Sequence, residues 1–321
     1  MSGPPAARPV RGGSCAIVGL PNVGKSTLLN RLVGRHLVAV SNKPQTTRNR
    51  ILGIHRSEVE GLDPPTIELC LVDTPGIQQG KGALRRFMRT EALSAAGDSD
   101  LTLLVVDATE RRGSGPGRLT EPDAVELMTA IGDTPLLLAL NKVDRVHKPE
   151  LLPLMERWAA WGRERQGGLE VIPISASTGE NVDALIKLIA ERLPVGQAMF
   201  PADMITDRAE PFLASELIRE QLFNQLGQEL PYSAAVVIER FEEHDQGDLG
   251  IGAYIAVERE SQKAIVIGKG GARIKELGVA ARAALSELFG VPVHLSLLVK
   301  IAPAWTNIEA GIRKFGYRGE S

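Results

Sequence analysis

The chain has 321 residues, 43% hydrophobic and 24% charged, with a formal net charge of −2. That balance describes a soluble globular protein, and no apolar run approaches the roughly 20 residues that a spanning helix needs. Near-neutral charge argues against a nucleic-acid partner only on average, because residues 213–258 are strongly acidic and residues 259–321 basic.

The two cysteines, Cys15 and Cys70, lie in short apolar runs, and the five histidines are scattered. Buried free thiols and a cytosolic setting are expected, and no zinc site is assigned. The first thirteen residues, "MSGPPAARPVRGG", read as a disordered tail rather than a signal peptide. From residue 14 onward short apolar runs alternate with helical patterns. Strands are predicted at "SCAIVGL", "RILGIHR", "IELCLVDT", "LTLLVVDA", "PLLLALN" and "LEVIPIS". Helices are predicted at Lys25–Val33, Leu84–Ala96, Glu121–Ile131, Pro149–Trp161 and Val182–Leu193. Several strands are apolar on both faces, so residues 14–193 predict a doubly wound, mostly parallel α/β domain.

Residues 194–212 hold three prolines and no period, which predicts a linker. A smaller α+β domain is predicted over residues 213–321. It opens with the helical "FLASELIREQLFNQLG", followed by the strands "YSAAVVIERFEE" and "IGAYIAVERE". A glycine-rich stretch, the helical "ARAALSELFG" and the strand "HLSLLVKIAP" complete it.

Gly19, Gly24, Lys25 and Ser26 satisfy GxxxxGK[ST] between a predicted strand and a predicted helix. The candidate phosphate loop runs through Gly19, Leu20, Pro21, Asn22, Val23, Gly24, Lys25, Ser26 and Thr27. Its backbone N–H groups would wrap a triphosphate at the positive end of the helix. Lys25 would neutralise the β- and γ-phosphates, and Ser26 would ligate Mg2+. "DTPG" and the next residue contribute Asp73, Thr74, Pro75, Gly76 and Ile77. Asp73 would hold the metal through water, and the Gly76 N–H would face the γ-phosphate. In "KPQTTR" (Lys43–Arg48), Thr47 is expected to close over the metal.

The base is read further on. In "NKVD" (Asn141, Lys142, Asp144) the Asp144 carboxylate can accept from both N1–H and N2–H2 of guanine. Adenine lacks that pair and would leave a buried acceptor unmatched, at about 1–3 kcal/mol. In "ISAS", Ser175 and Ala176 bring backbone N–H groups toward guanine O6. GTP is thus the expected substrate, with Lys25, Thr47, Asp73 and Gly76 as catalytic candidates.

The second glycine loop, Gly268, Lys269, Gly270 and Gly271, lacks the following Ser/Thr of a nucleotide loop. It fits GxxG, which clamps the backbone of about four single-stranded nucleotides between two helices. Lys269, Arg273 and Lys275 would supply charge. Local propensity makes the preceding "AIVI" a strand, but the order helix, two strands, helix, GxxG, helix, strand resembles a type II KH domain. That resemblance makes it a short helix.

Together "GLPNVGKSTLLNRL", "SNKPQTTRNRILGI", "DTPGI", "NKVD" and "SASTGENV" resemble the Era-type GTPases. The ending "PVHLSLLVKIAPAWTNIEAGIRKFGY" resembles their C-terminus, so the likeness runs from Cys15 to Tyr317. It implies GTP hydrolysis at a slow intrinsic rate, with the switch segments released afterwards. It also implies binding to the 3′ end of 16S ribosomal RNA and a role in maturation of the small (30S) ribosomal subunit. A monomer is expected in the cytoplasm, with at most peripheral association with the inner membrane surface. Ile77 stands where Ras-like proteins place a water-orienting glutamine. Asn22 matches an asparagine that holds K+ in potassium-stimulated relatives, making it a candidate potassium ligand. Two rivals stay open: a GTPase whose added domain binds tRNA or a protein, and a scaffold that dimerises through its C-terminal domain. Asp144 argues against an ATP-using enzyme.

Overall fold

A computed structural model of the chain describes residues 9–41, 43, 45–77, 82–109, 121–162, 168–227 and 230–317. The chain forms two compact units. One comprises Met1–Gly34, Asn49–Gln79 and Arg89–Asp207; the other comprises Arg35–Arg48, Gly80–Met88 and Arg208–Ser321.

The first unit is built around β1 (Val10–Val18), α1 (Lys25–Val33), β2 (Ile51–Glu58), β3 (Thr66–Asp73) and the later part of α2 (Ala83–Asp98). It continues with β4 (Leu101–Asp107), α3 (Glu121–Ile131), β5 (Leu136–Asn141), α4 (Lys148–Trp161), β6 (Glu170–Pro173), α5 (Val182–Ala190) and β7 (Val195–Gly196). The sheet order is β2-β3-β1-β4-β5-β6, with β7 added to β1. Pairings are parallel except β2 with β3 and β7 with β1. β5 is buried along its whole length, as its unbroken apolar run requires of a strand covered on both faces. Leu104, Val106, Leu138 and Leu140 pack with Ala92, Ala96, Leu127 and Trp158 in one core cluster. Register then does the positioning. Ile17 pairs with Asp73 and Asp107 with Asn141, so the chemistry-bearing turns leave the same, carboxyl edge of the sheet.

Two expectations are corrected here. β1 begins at Val10 rather than Ser14, so Val10–Gly13 of the segment read as tail are strand; residues 1–8 lie outside the described residues. The span read as linker contains β7, which pairs Val10 with Gly196 and Arg11 with Val195. Beyond β7 it is held on β2 and β3. The Ile54 N–H donates to the Ile205 carbonyl at 2.8 Å, and the Arg56 guanidinium reaches the carbonyls of Phe200, Ala202 and Met204. Glu68, 1% exposed, accepts from Arg56 Nε at 2.9 Å and from the Met199 N–H at 2.6 Å. This segment is recognised through its main chain, so its side chains carry no period.

The second unit contains α6 (Glu210–Gln225), β8 (Ala235–Glu243), β9 (Leu249–Val257), α7 (Glu260–Ile267), α8 (Ala272–Phe289), β10 (Val293–Ile301) and α9 (Glu309–Lys314). α6 starts within the span read as linker, with Pro211 in its first turn. Its sheet has the order β10-β9-β8, with β10 parallel and β8 antiparallel to β9. Leu217, Leu222, Ile251, Ile255, Val266, Leu277 and Leu285 form its core. "AIVI" is helical despite its β-branched residues. Gln262 Oε1 accepts the N–H groups of Glu258 (2.8 Å) and Arg259 (3.0 Å) at the head of α7, and Val266 is fully buried. α9 has no counterpart among the predicted helices.

Among the described residues no helix is long and apolar enough to cross a membrane, and no group of three His, Cys, Asp or Glu could hold a metal ion. Cys15 and Cys70 are free and buried, and burial pushes both thiols up to about 12.

Candidate functional site

The turn from β1 to α1 needs its glycines. Gly24 has φ +103°, and a Cβ there would sit 2.2 Å from Asn141 Nδ2. α1 starts on Gly24 with no side-chain cap, which leaves first-turn N–H groups available to an anion. Lys25 is 6% exposed and donates to the carbonyls of Gly19 (3.2 Å) and Leu20 (3.0 Å). Burial pushes its pKa down to about 8, with the Asp73 carboxylate opposing.

Ser26 Oγ donates to Asp73 Oδ2 at 2.8 Å. A hydroxyl and a carboxylate side by side, all oxygen donors, fit a hard divalent cation such as Mg2+. Thr74 Oγ1 donates to the Ile17 carbonyl at 2.8 Å, which pins the DTPG turn to β1. At Gly76 any Cβ would lie 2.7 Å from Pro21, so this turn and the phosphate loop touch main chain to main chain. Ile77 is fully buried in the sheet core with Ala16 and Val18, and its N–H donates to the Gly19 carbonyl at 3.0 Å.

At the other end Asn141, 2% exposed, donates to the Val23 carbonyl at 2.7 Å and accepts from the Ala176 N–H at 2.9 Å. One amide therefore fastens the phosphate loop to the "ISAS" turn. Lys142 Nζ donates to the Asn22 carbonyl and to Asp107, each at 2.6 Å. Asp144 sits in a short helical turn, with one carboxylate oxygen 3.7 Å from Arg145 Nε. Ser175 is fully buried, and its carbonyl accepts from the Gly179 N–H at 2.8 Å.

Lys25, Ser26, Asp73, Gly76, Asn141, Asp144, Ser175 and Ala176 thus gather in the first unit. Thr47 belongs to the second unit. Sequence reasoning missed Asp107, which ends β4 in register with Asn141, and Arg31, whose Nε reaches the Ala176 carbonyl at 2.5 Å. An aspartate closing the central run "LTLLVVDA" was a readable signal for the first.

The depressed Lys25 pKa has a consequence for binding. A triphosphate favours the ammonium form, so binding above pH 8 must take up a proton. GTP-analogue affinity is expected to be flat below about pH 8 and to fall by up to about tenfold per unit above it. Titrations from neutral to alkaline pH, with Lys25→Met as the control that should lose this slope, check it.

The second glycine loop joins α7 to α8 in the second unit. Gly268, Gly270 and Gly271 all have positive φ (73°, 60° and 79°), and a Cβ on Gly268 would lie 2.7 Å from the Arg273 Cβ. Lys269 and Gly270 are exposed at the tip. Arg273 Nη1 donates to the Ile265 carbonyl at 2.9 Å. A cavity of about 430 Å3 runs between α8 and β10, lined by Ile274, Lys275, Gly278, Val279, Arg282, Leu295 and Leu297. Of these only Lys275 was expected. The rest were legible as an i, i+4 series on the helix after GxxG (274, 278, 282) and as alternate residues on the last strand.

A family model described as a 50S ribosome-binding GTPase matches residues 14–142, and one described as a KH domain matches residues 229–306. The GTPase Era of Geobacter metallireducens is 42% identical over 310 residues, covering 96% of this chain and 98% of its own length. Two crystal structures match at 37% identity and a TM-score of 0.86, covering 96% of this chain and 99% of theirs. One is a variant of Aquifex aeolicus Era bound to GDP·AlF4−; the other is Era in complex with MgGDPNP and nucleotides 1506–1542 of 16S ribosomal RNA. With both units matched in order and nearly end to end, the chain belongs to the Era GTPases.

Proposed function

We propose that the chain is a GTP-hydrolysing switch that binds the 3′ end of 16S ribosomal RNA through its GxxG groove and assists maturation of the 30S subunit. The observation that carries the nucleotide half is the Asn141 amide, bonded at once to the phosphate loop and to the Ala176 N–H. The triphosphate then lies on the turn from Gly19 to Thr27 against the Lys25 ammonium. Ser26 and Asp73 would hold Mg2+, with Thr47 joining them; the metal supplies neutralisation of phosphate charge. The Gly76 N–H faces the γ-phosphate, and Asp144 takes the guanine edge. Because Ile77 is a core residue, no side chain at that position orients water, which supports slow intrinsic turnover.

Asn22 lies beside the phosphates in a left-handed conformation (φ 66°) and is the residue from which K+ would act. Equal hydrolysis rates in potassium and sodium buffers would remove that role. For the RNA half, the exposed Lys269 and the cavity that Lys275 lines support a clamp on a single strand. The test is filter binding of a 16S 3′-end fragment to the GTP-analogue and GDP forms. Saturable binding that differs between the forms is expected, and absence of binding in both rejects the reading.

A further inference from the structure

Asp107 closes β4, and the parallel register sets it beside Asn141, the residue before Lys142. Both oxygens of its carboxylate are in use. Oδ1 accepts from the Thr109 N–H at 2.9 Å and from Thr109 Oγ1 at 2.7 Å, a local turn that fixes the plane of the group. Oδ2 accepts from Lys142 Nζ at 2.6 Å. The same ammonium donates to the Asn22 carbonyl of the phosphate loop, also at 2.6 Å. The Lys142 and Asp107 side chains are 23% and 13% exposed, so this is not the fully solvated kind of ion pair that contributes little. Lys142 also has a positive φ (67°), an uncommon state for a residue with a Cβ.

A lysine stem is long and flexible, and ordering it costs rotamer entropy. Here it is fixed at both ends, by the main chain where β5 stops and by Asp107 and Asn22 at the ammonium. The stem therefore runs from the base-reading motif, with Asp144 two residues on, to the loop assigned to the phosphates. We infer that Asp107 is a positioning residue for nucleotide binding: it keeps Lys142 laid out between those two ends before the ligand arrives. The apolar stem is then ready for a purine and its ribose to rest on, and part of the ordering cost of binding is already met. This rests on the reading of Lys142 as a nucleotide-site residue. Acting through Lys142, Asp107 serves ground state and transition state alike, so it governs affinity rather than turnover.

In steady-state GTP hydrolysis by the full chain with Mg2+, Asp107→Asn is expected to raise KM about tenfold and to leave kcat within about twofold. The asparagine keeps a carbonyl oxygen for the Thr109 turn and aims an amide donor at the ammonium, so it breaks only the link to Lys142. GDP, as a competitor, should weaken by the same factor. A role confined to folding would lower kcat instead, through the loss of active protein. In a Lys142→Met background Asp107→Asn should change KM by less than about twofold, because no ammonium is left to hold. An unchanged KM, a fall in kcat alone, or a comparable rise in KM that persists without Lys142 overturns the assignment. Should Asp107→Asn fail to fold, as judged by circular dichroism, Asp107→Ser takes its place under the same criteria, since its hydroxyl can still accept from the Thr109 N–H. Lys142→Met by itself decides the underlying reading: an unchanged KM would remove Lys142 from the nucleotide site, whatever the Asp107 variants do.

Discussion

Asp144→Asn is expected to lower GTP affinity roughly 100- to 1,000-fold and to transfer preference to xanthosine triphosphate. The carboxylate can accept two donors from guanine, N1–H and N2–H2. An amide keeps one acceptor and turns the other position into a donor, which faces the exocyclic amino group of guanine and leaves both unpaired. Xanthine carries a carbonyl at that position, and so restores the match. The change is nearly isosteric, and the Asp144 side chain is 24% exposed with only a 3.7 Å approach to Arg145, so folding should survive it. Competition of GTP and xanthosine triphosphate for one fluorescent nucleotide reads the switch. Indifference to the substitution would show that Asp144 does not meet the base.

Replacing both Lys269 and Gly270 by aspartate should cost RNA affinity on the order of 100-fold at low salt and less at high salt, with GTP binding unaltered. The pair exchanges one positive charge for two negative ones where a sugar-phosphate backbone would pass. The fold can accept it. Gly270 has φ 60°, a region that Asp tolerates better than most residues, and a Cβ there meets nothing within 4 Å. A loss of binding is then electrostatic rather than structural. RNA affinity unchanged across a salt series would rule out the loop as the clamp.

Much of this was legible because phosphate chemistry fixes residue type and spacing together. Gly24 has to be glycine against the Asn141 amide, and Lys25 and Ser26 follow at once. "NKVD" reads as clearly because strand ends in parallel register bring distant motifs to one edge. "AIVI" was decided against its own propensity by the order of elements, since tertiary packing of Val266 outweighs a preference of a few tenths of a kcal/mol. Arg48 was not legible. A cationic residue in a polar run signals solvent, and partners as distant in the chain as Tyr232, Ala234 and Tyr317 help to bury this one. Nor was the seat of Met199–Ile205, whose partners address carbonyl and amide groups that every residue shares.

That seat carries an evolutionary corollary. Arg56 and Glu68 are indifferent to what Phe200, Ala202 and Met204 are, but they depend on how many residues lie between them. Selection on this strap should therefore act on its count and hardly on its spelling: among descendants of one ancestor its letters are free to drift while its length stays put.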